Sequence, residues 1–304
     1  MSAYSETSFD TKRYDDSRPN YPEPFYHELI KYHKEKGGTT QLAVDIGCGS
    51  GFVTFKLLEY FDHVIGTDPS SNMILQCQSH IPQSSENKFI EFSIGSAESH
   101  PSTIMPNSVD LITGAECCHW VDHAKFFTES ARVLKPNGTL AYWFYKDPVF
   151  VGYPKANAIY ENYTYNSSTA TNPNEAFERY MGPYYQQPGH DYLRSLLKEK
   201  SPPPDLFYDI VRHEYISERD GAPTGTENAY VTKTPLFICK IIDMRWFLNY
   251  VKSWSAYHIW MKEHGDKYDI AEVFVDELKQ QMGWDDDTKI KVIWDTVYTF
   301  ARKK

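Results

Sequence analysis

Cysteine, dense positive charge and long apolar runs are all scarce in this 304-residue sequence, and each scarcity excludes something. The five cysteines, Cys48, Cys77, Cys117, Cys118 and Cys239, are odd in number and contain no Cys-x-x-Cys pair. Neither a disulfide framework nor a zinc site is expected from them, and they read as reduced thiols of a cytoplasmic protein. Nowhere do about eighteen apolar residues follow one another, so no membrane span is expected, and the polar, proline-bearing start does not read as a signal peptide. The formal net charge is −10 and no block of Lys or Arg relieves it. Nucleic-acid binding, which draws its affinity from phosphate neutralisation, is therefore not expected, and a small-molecule ligand is.

What the chain has in quantity is aromatic residues, 15% with 23 Tyr and 7 Trp, many of them beyond residue 140. They serve either a large core or the walls of a substrate pocket. Over the first half, strand-like segments at 42–46, 64–67, 89–94, 109–114 and 139–145 alternate with helical ones, which predicts a parallel sheet with helices on both faces. Beyond Pro148 the alternation stops. Residues 153–200 read as proline-broken helices around a polar segment, 166–174. Segments 206–217 and 289–301 have strand character and are expected to pair antiparallel at one edge. Between them, 243–262 reads as one helix carrying Trp246, Tyr250, Trp254, Tyr257 and Trp260 at three- and four-residue spacings. The expected organisation is an N-terminal lid (1–35), a nucleotide-binding core (36–150), a helical cap (151–204) and a C-terminal part (205–304) that completes the sheet and the pocket.

The run Val44-Asp45-Ile46-Gly47-Cys48-Gly49-Ser50-Gly51 reads as a strand entering a glycine turn, and Asp68 ends the next strand seventeen residues after Gly51. Glycines there let a ligand approach the backbone, the following helix turns free N–H groups toward it, and an acid at the second strand tip can accept both hydroxyls of a ribose. The spacing of Gly47, Gly49 and Gly51 is tighter than the dinucleotide fingerprint that admits a pyrophosphate, which favours a nucleoside cofactor without phosphates.

With these residues the chain resembles the class I methyltransferases that use S-adenosylmethionine. The resemblance narrows with Ser17 to Pro22, Glu116-Cys117-Cys118-His119-Trp120, Gly182 to Gly189 and Ser253 to His258, which are similar to the fungal trans-aconitate methyltransferases. Pro69-Ser70-Ser71 and Trp143-Phe144-Tyr145 are similar to their relatives, the cantharidin-resistance methyltransferases. The match runs nearly end to end. It implies an α/β Rossmann-like fold, doubly wound, with a mostly parallel seven-stranded sheet, an antiparallel edge strand and a helical cap formed by insertions. It implies S-adenosylmethionine held by Tyr14, Arg18, Asp45, Gly47, Cys48, Gly49, Gly51, Asp68, Pro69 and Met73. Ser96, Ala97 and Glu98 fall at the adenine, and Ala115, Glu116 and His119 near the reactive methyl. The Arg18 fork suits the methionine carboxylate.

The activity implied is carboxyl O-methylation of a small polycarboxylic acid, trans-aconitate or an isopropylmalate-like acid, by a monomer without a metal. A carboxylate is already ionised at pH 7, so no general base is required. Substrate positioning is expected from His119, Trp120, Tyr184, Tyr185, Arg194, Trp254, Tyr257 and His258, with Arg179 and Lys233 behind them. Two alternatives stand beside this: methylation of hydroxyl or cantharidin-like compounds with His119 as base, and a protein that binds S-adenosylmethionine without transferring its methyl.

Overall fold

The computed structural model describes residues 17–81, 88–165, 180–221 and 234–304. Tyr14, Arg179, Lys233 and the polar segment 166–174 lie outside the described residues. Strands β1 (Leu42–Ile46), β2 (His63–Asp68), β3 (Phe89–Ile94), β4 (Val109–Ala115) and β5 (Leu134–Phe150) are joined in one sheet by β6 (Phe207–Tyr215), β7 (Ile238–Ile242) and β8 (Ile290–Lys303). The order is β3-β2-β1-β4-β5-β8-β6, with β7 also paired to β8. Strands β1 to β5 are mutually parallel, and the order reverses beside β1, between β2 and β4. At that switch point their carboxyl ends open a crevice.

Two details of the sheet differ from expectation. The described strands number eight rather than seven, because Ile238–Ile242 is too short, and its burial too irregular, to declare itself by alternation. The reversed strand is β8, and it lies one position inside the edge. It pairs antiparallel with β5 on one side and with β6 and β7 on the other, so β6 and β7 run in the direction of β5. Almost all of β8 is buried, as a strand covered on both faces must be.

The expected helix over 243–262 is two helices, Met244–Lys252 and Ser255–His264. At the break Trp254 is extended (φ −81°, ψ 144°), and Ser253 Oγ donates to the Tyr250 carbonyl at 2.6 Å, a local bond that competes with helical pairing. The aromatic spacing runs across the break, which is why periodicity alone gave one helix. Asp243 caps the first helix by accepting from Trp246 N–H at 2.8 Å, whereas the second has no side-chain cap. No helix among the described residues is long and apolar enough to cross a membrane.

The aromatic excess divides between core and pocket. On one face Phe25 meets Trp143, Tyr298 and Phe300, and Trp260 and Phe274 are wholly buried in the same cluster. On the other face Phe126, Phe127, Tyr142 and Phe144 pack with Val44, Ile46 and Ile112.

Candidate functional site

Gly47, Gly49 and Gly51 all have positive φ, at 56°, 53° and 88°, but for different reasons. A Cβ on Gly47 would stand 2.5 Å from Cys117 Cβ, and one on Gly51 would stand 2.9 Å from the Phe55 ring and 3.2 Å from Cys77 Sγ. A Cβ on Gly49 would meet nothing within 4 Å, because that glycine faces an open cleft. Asp68 fixes the turn: its Oδ2 accepts from Gly49 N–H at 3.0 Å and its Oδ1 from Ser70 N–H at 2.8 Å. An ionised oxygen has a second acceptor position, which leaves Asp68 capacity for hydroxyls in the cleft. Asp45 lies beneath, with its oxygens filled by Thr54 (2.6 Å) and Thr113 (2.7 Å) and its pKa raised by burial to about 6. It binds β1 and β4 to the helix Phe52–Leu57 and thereby supports the turn from below.

Three cavities run along the carboxyl edge of the sheet. The first, about 310 Å³, is lined by Gly47, Gly49, Asp68, Pro69, Met73, Ser96, Ala97 and Glu98. Glu98 also accepts from Asp122 N–H at 2.9 Å, anchoring the start of the helix His123–Val133. A second, about 100 Å³, passes over Asp45, Gly47, Cys48 and Gly49 to Arg18, Tyr21 and Tyr145. Gly51 lines neither of these. The third, about 90 Å³, is bounded by Arg18, His119, Trp120, Lys146, Asp147, Tyr160, Tyr185, His190, Leu193, Tyr250, Trp254 and Ser255. Glu116 borders all three, and Arg18 borders the second and third.

Glu116 adopts φ 53° at the end of β4 and accepts from Tyr145 N–H at 2.5 Å. Burial raises its pKa to about 8, against the opposing pull of that N–H and of Arg18. Arg18 donates to the Ser253 carbonyl at 3.2 Å and to Tyr145 Oη at 3.4 Å, with its guanidinium 5.4 Å from the Tyr250 ring centre. Burial drives His119 down to about 3, so its imidazole is neutral and a weak base at physiological pH. The proposed His119 base is thus disfavoured by its own surroundings.

Among residues singled out from sequence, the structure brings His119, Trp120, Tyr185 and Trp254 to the third cavity. It does not bring Arg194, Tyr184, Tyr257 or His258 into that lining. Arg194 is exposed and stacks 3.7 Å from the Tyr165 ring centre; Tyr165 and Tyr185 in turn sandwich His190 at 5.5 and 3.9 Å. Tyr184 shares a hydrogen bond with His264 Nε2 at 2.6 Å, and Tyr257 donates to Asp269 at 3.0 Å. Lys146, Asp147, Tyr160, His190 and Tyr250 were missed. Lys146 and Asp147 carried a faint signal, a charged pair before Pro148 at the end of a strand.

The crevice, the glycine turn and the acid at the tip of β2 define a nucleoside-cofactor α/β protein. A profile of the methyltransferase domain family matches residues 44–142. The chain is 34% identical, over 99% of its length and 98% of the relative's, to the Saccharomyces cerevisiae protein named "Probable S-adenosylmethionine-dependent methyltransferase CRG1". It is 26% identical to methyltransferase ptaI of Pestalotiopsis fici, over 96% of this chain and 92% of that one. A solved structure from Anaeromyxobacter dehalogenans, 22% identical, shares the fold with a TM-score of 0.60 over 94% of this chain and 97% of that one. The chain belongs to the S-adenosylmethionine-dependent methyltransferases. The open space over Gly49 and the spare acceptor capacity of Asp68 fit that cofactor. Among the described residues no group of three or more His, Cys, Asp or Glu is placed to hold a metal ion.

Proposed function

We propose that the protein esterifies one carboxylate of a small polycarboxylic acid, trans-aconitate or an isopropylmalate-like acid. The observation that carries this reading is the third cavity, whose lining brings the cations Arg18 and Lys146 and the uncapped start of the helix Ser255–His264 together beside Glu116 and Asp147, in a chain of net charge −10. When bound, S-adenosylmethionine supplies a methyl whose bond to the sulfonium sulfur breaks as a bond to a carboxylate oxygen forms, leaving a thioether and a methyl ester with no proton exchanged. Asp68 and the glycine turn hold the nucleoside, and Arg18, between the second and third cavities, holds the amino-acid carboxylate. Lys146, Tyr185 and the Ser255 N–H supply donors for the acid. No base is needed for an ionised nucleophile, which agrees with a neutral His119. Alignment of the two reactants can lower the barrier by roughly 7–11 kcal/mol.

Incubation with methyl-labelled S-adenosylmethionine and trans-aconitate, isopropylmalate or a cantharidin-type acid tests this. Label on an acid that mild base releases is expected; a base-stable product overturns ester formation. The latter result would favour the hydroxyl-directed reading, in which Glu116, raised by burial to about 8, is the better-placed base. Tight cofactor binding without transfer to any acceptor would favour the non-catalytic reading.

A further inference from the structure

The pairing of β5 with β8 runs to Tyr145 opposite Thr296 and resumes at Pro148 opposite Trp294. Lys146 and Asp147 therefore stand against a single residue, Asp295, as a bulge, and both line the third cavity. Bulges of this kind re-aim side chains beside active sites. Asp147 Oδ1 accepts from Tyr160 Oη at 2.9 Å. Its Oδ2 is buried and has no hydrogen-bond partner among the described residues.

The two aspartates of the cofactor cleft differ in this respect. Asp45 has a threonine hydroxyl on each oxygen and Asp68 a backbone amide on each. A buried acceptor left unpaired is costly, and in a cavity wall the missing donor is one a ligand can bring. A substrate carboxylate cannot bring it, since it has acceptors only, whereas an alcohol hydroxyl can. Burial raises Asp147 to about 6, so at neutral pH it remains chiefly the ionised acceptor, with Lys146 and Arg194 favouring that form and Asp295 opposing it.

We propose that Asp147 determines specificity by accepting a hydrogen bond from a hydroxyl of the acid, so that the pocket selects hydroxy acids over acids bearing carboxylates alone. The proposal rests on the esterification reading and narrows its substrate class. Tyr160 is then a positioning residue, holding the Asp147 carboxylate from its other side.

Binding is measured by calorimetry on the full chain saturated with S-adenosylhomocysteine, using two matched pairs: 2-isopropylmalate with isopropylsuccinate, and citrate with tricarballylate. In each pair only the first acid carries the hydroxyl. In at least one pair the hydroxy acid is expected to bind about ten- to hundred-fold more tightly, the range for a hydrogen bond to a charged acceptor. Asp147→Ala should bring that ratio to about two-fold or less, and Asp147→Asn, which preserves shape should Ala prevent folding, should reduce it about ten-fold. Both variants should retain S-adenosylhomocysteine affinity. Ratios near one in both pairs, or a ratio that survives both substitutions, overturn the role of Asp147 while ester formation stands. Failure of every acid to bind or to accept label overturns the esterification reading and this one with it.

Discussion

Glu116 borders all three cavities with its carboxyl raised by burial to about 8, while an unfolded chain holds the same group near its ordinary 4.5. Between those values the folded protein retains a proton that the unfolded one has released. Its contribution to stability is therefore intact below about pH 4.5 and is lost as pH rises through about 8. Glu116→Gln should leave the melting temperature unchanged near pH 4.5 and raise it by roughly 5–10 °C at pH 8.5. The buried histidines titrate alike in both proteins and cancel from the comparison. Equal shifts at the two pH values would remove the burial argument. At this scale the cofactor cleft was legible, because the glycine turn and Asp68 form a local motif whose geometry hardly depends on distant chain. Lys146, Asp147, Tyr160 and Tyr250 were not, since a bulge and a helix break bring them together and neither leaves a periodic trace.

Among the elements, the division of the aromatic helix at Ser253 and Trp254 has the largest effect on the site. It exposes the Ser253 carbonyl to Arg18 and brings Ser255, the first residue of a new helix, to the third cavity. Trp254 already has the extended backbone that a following proline requires, and the first helical position tolerates proline well. Relative to Ser255→Ala, which removes the hydroxyl alone, Ser255→Pro should thus alter stability by no more than about 1 kcal/mol while deleting one further donor, the backbone N–H. Several-fold weaker binding of the acid, with S-adenosylhomocysteine affinity preserved, is the expected calorimetric result; unchanged acid binding would remove the helix terminus from the site. Strands β1 to β4 were read to within a residue of their ends because hydrophobic runs and turn signals agree there, whereas β5, read as 139–145, extends five residues further at each end, through the Pro-Asn-Gly segment and through the bulge. Strand β7 and the place of β8 depend on pairing partners far along the chain, which a single sequence does not display.

For the molecule as a whole, β8 is the element that joins the two halves of the sheet. Near its end Arg302 is fully buried, donating to Asp209 at 2.8 Å and to the Tyr32 carbonyl, with its guanidinium 4.0 Å from the Tyr32 ring centre. It links the last strand to β6 and to the helix Glu23–Glu35. Arg302→Met should destabilise the protein by roughly 3 kcal/mol, seen as a lower urea midpoint, because carbonyls and a carboxylate lose their shared donor. A midpoint equal to that of the wild type would show that packing of the aliphatic stem suffices.

The placement of β8 also orders events on the ribosome. Strands β1 to β5 are parallel neighbours completed by residue 150, so the cofactor half can assemble while the remainder is still being translated. Strands β6 and β7 emerge next, and among the described residues their one partner strand is β8, which follows both. Until then the nascent chain carries two unpaired strands and an open β5 edge. This interval of synthesis is when the chain is most open to edge-to-edge association with other chains.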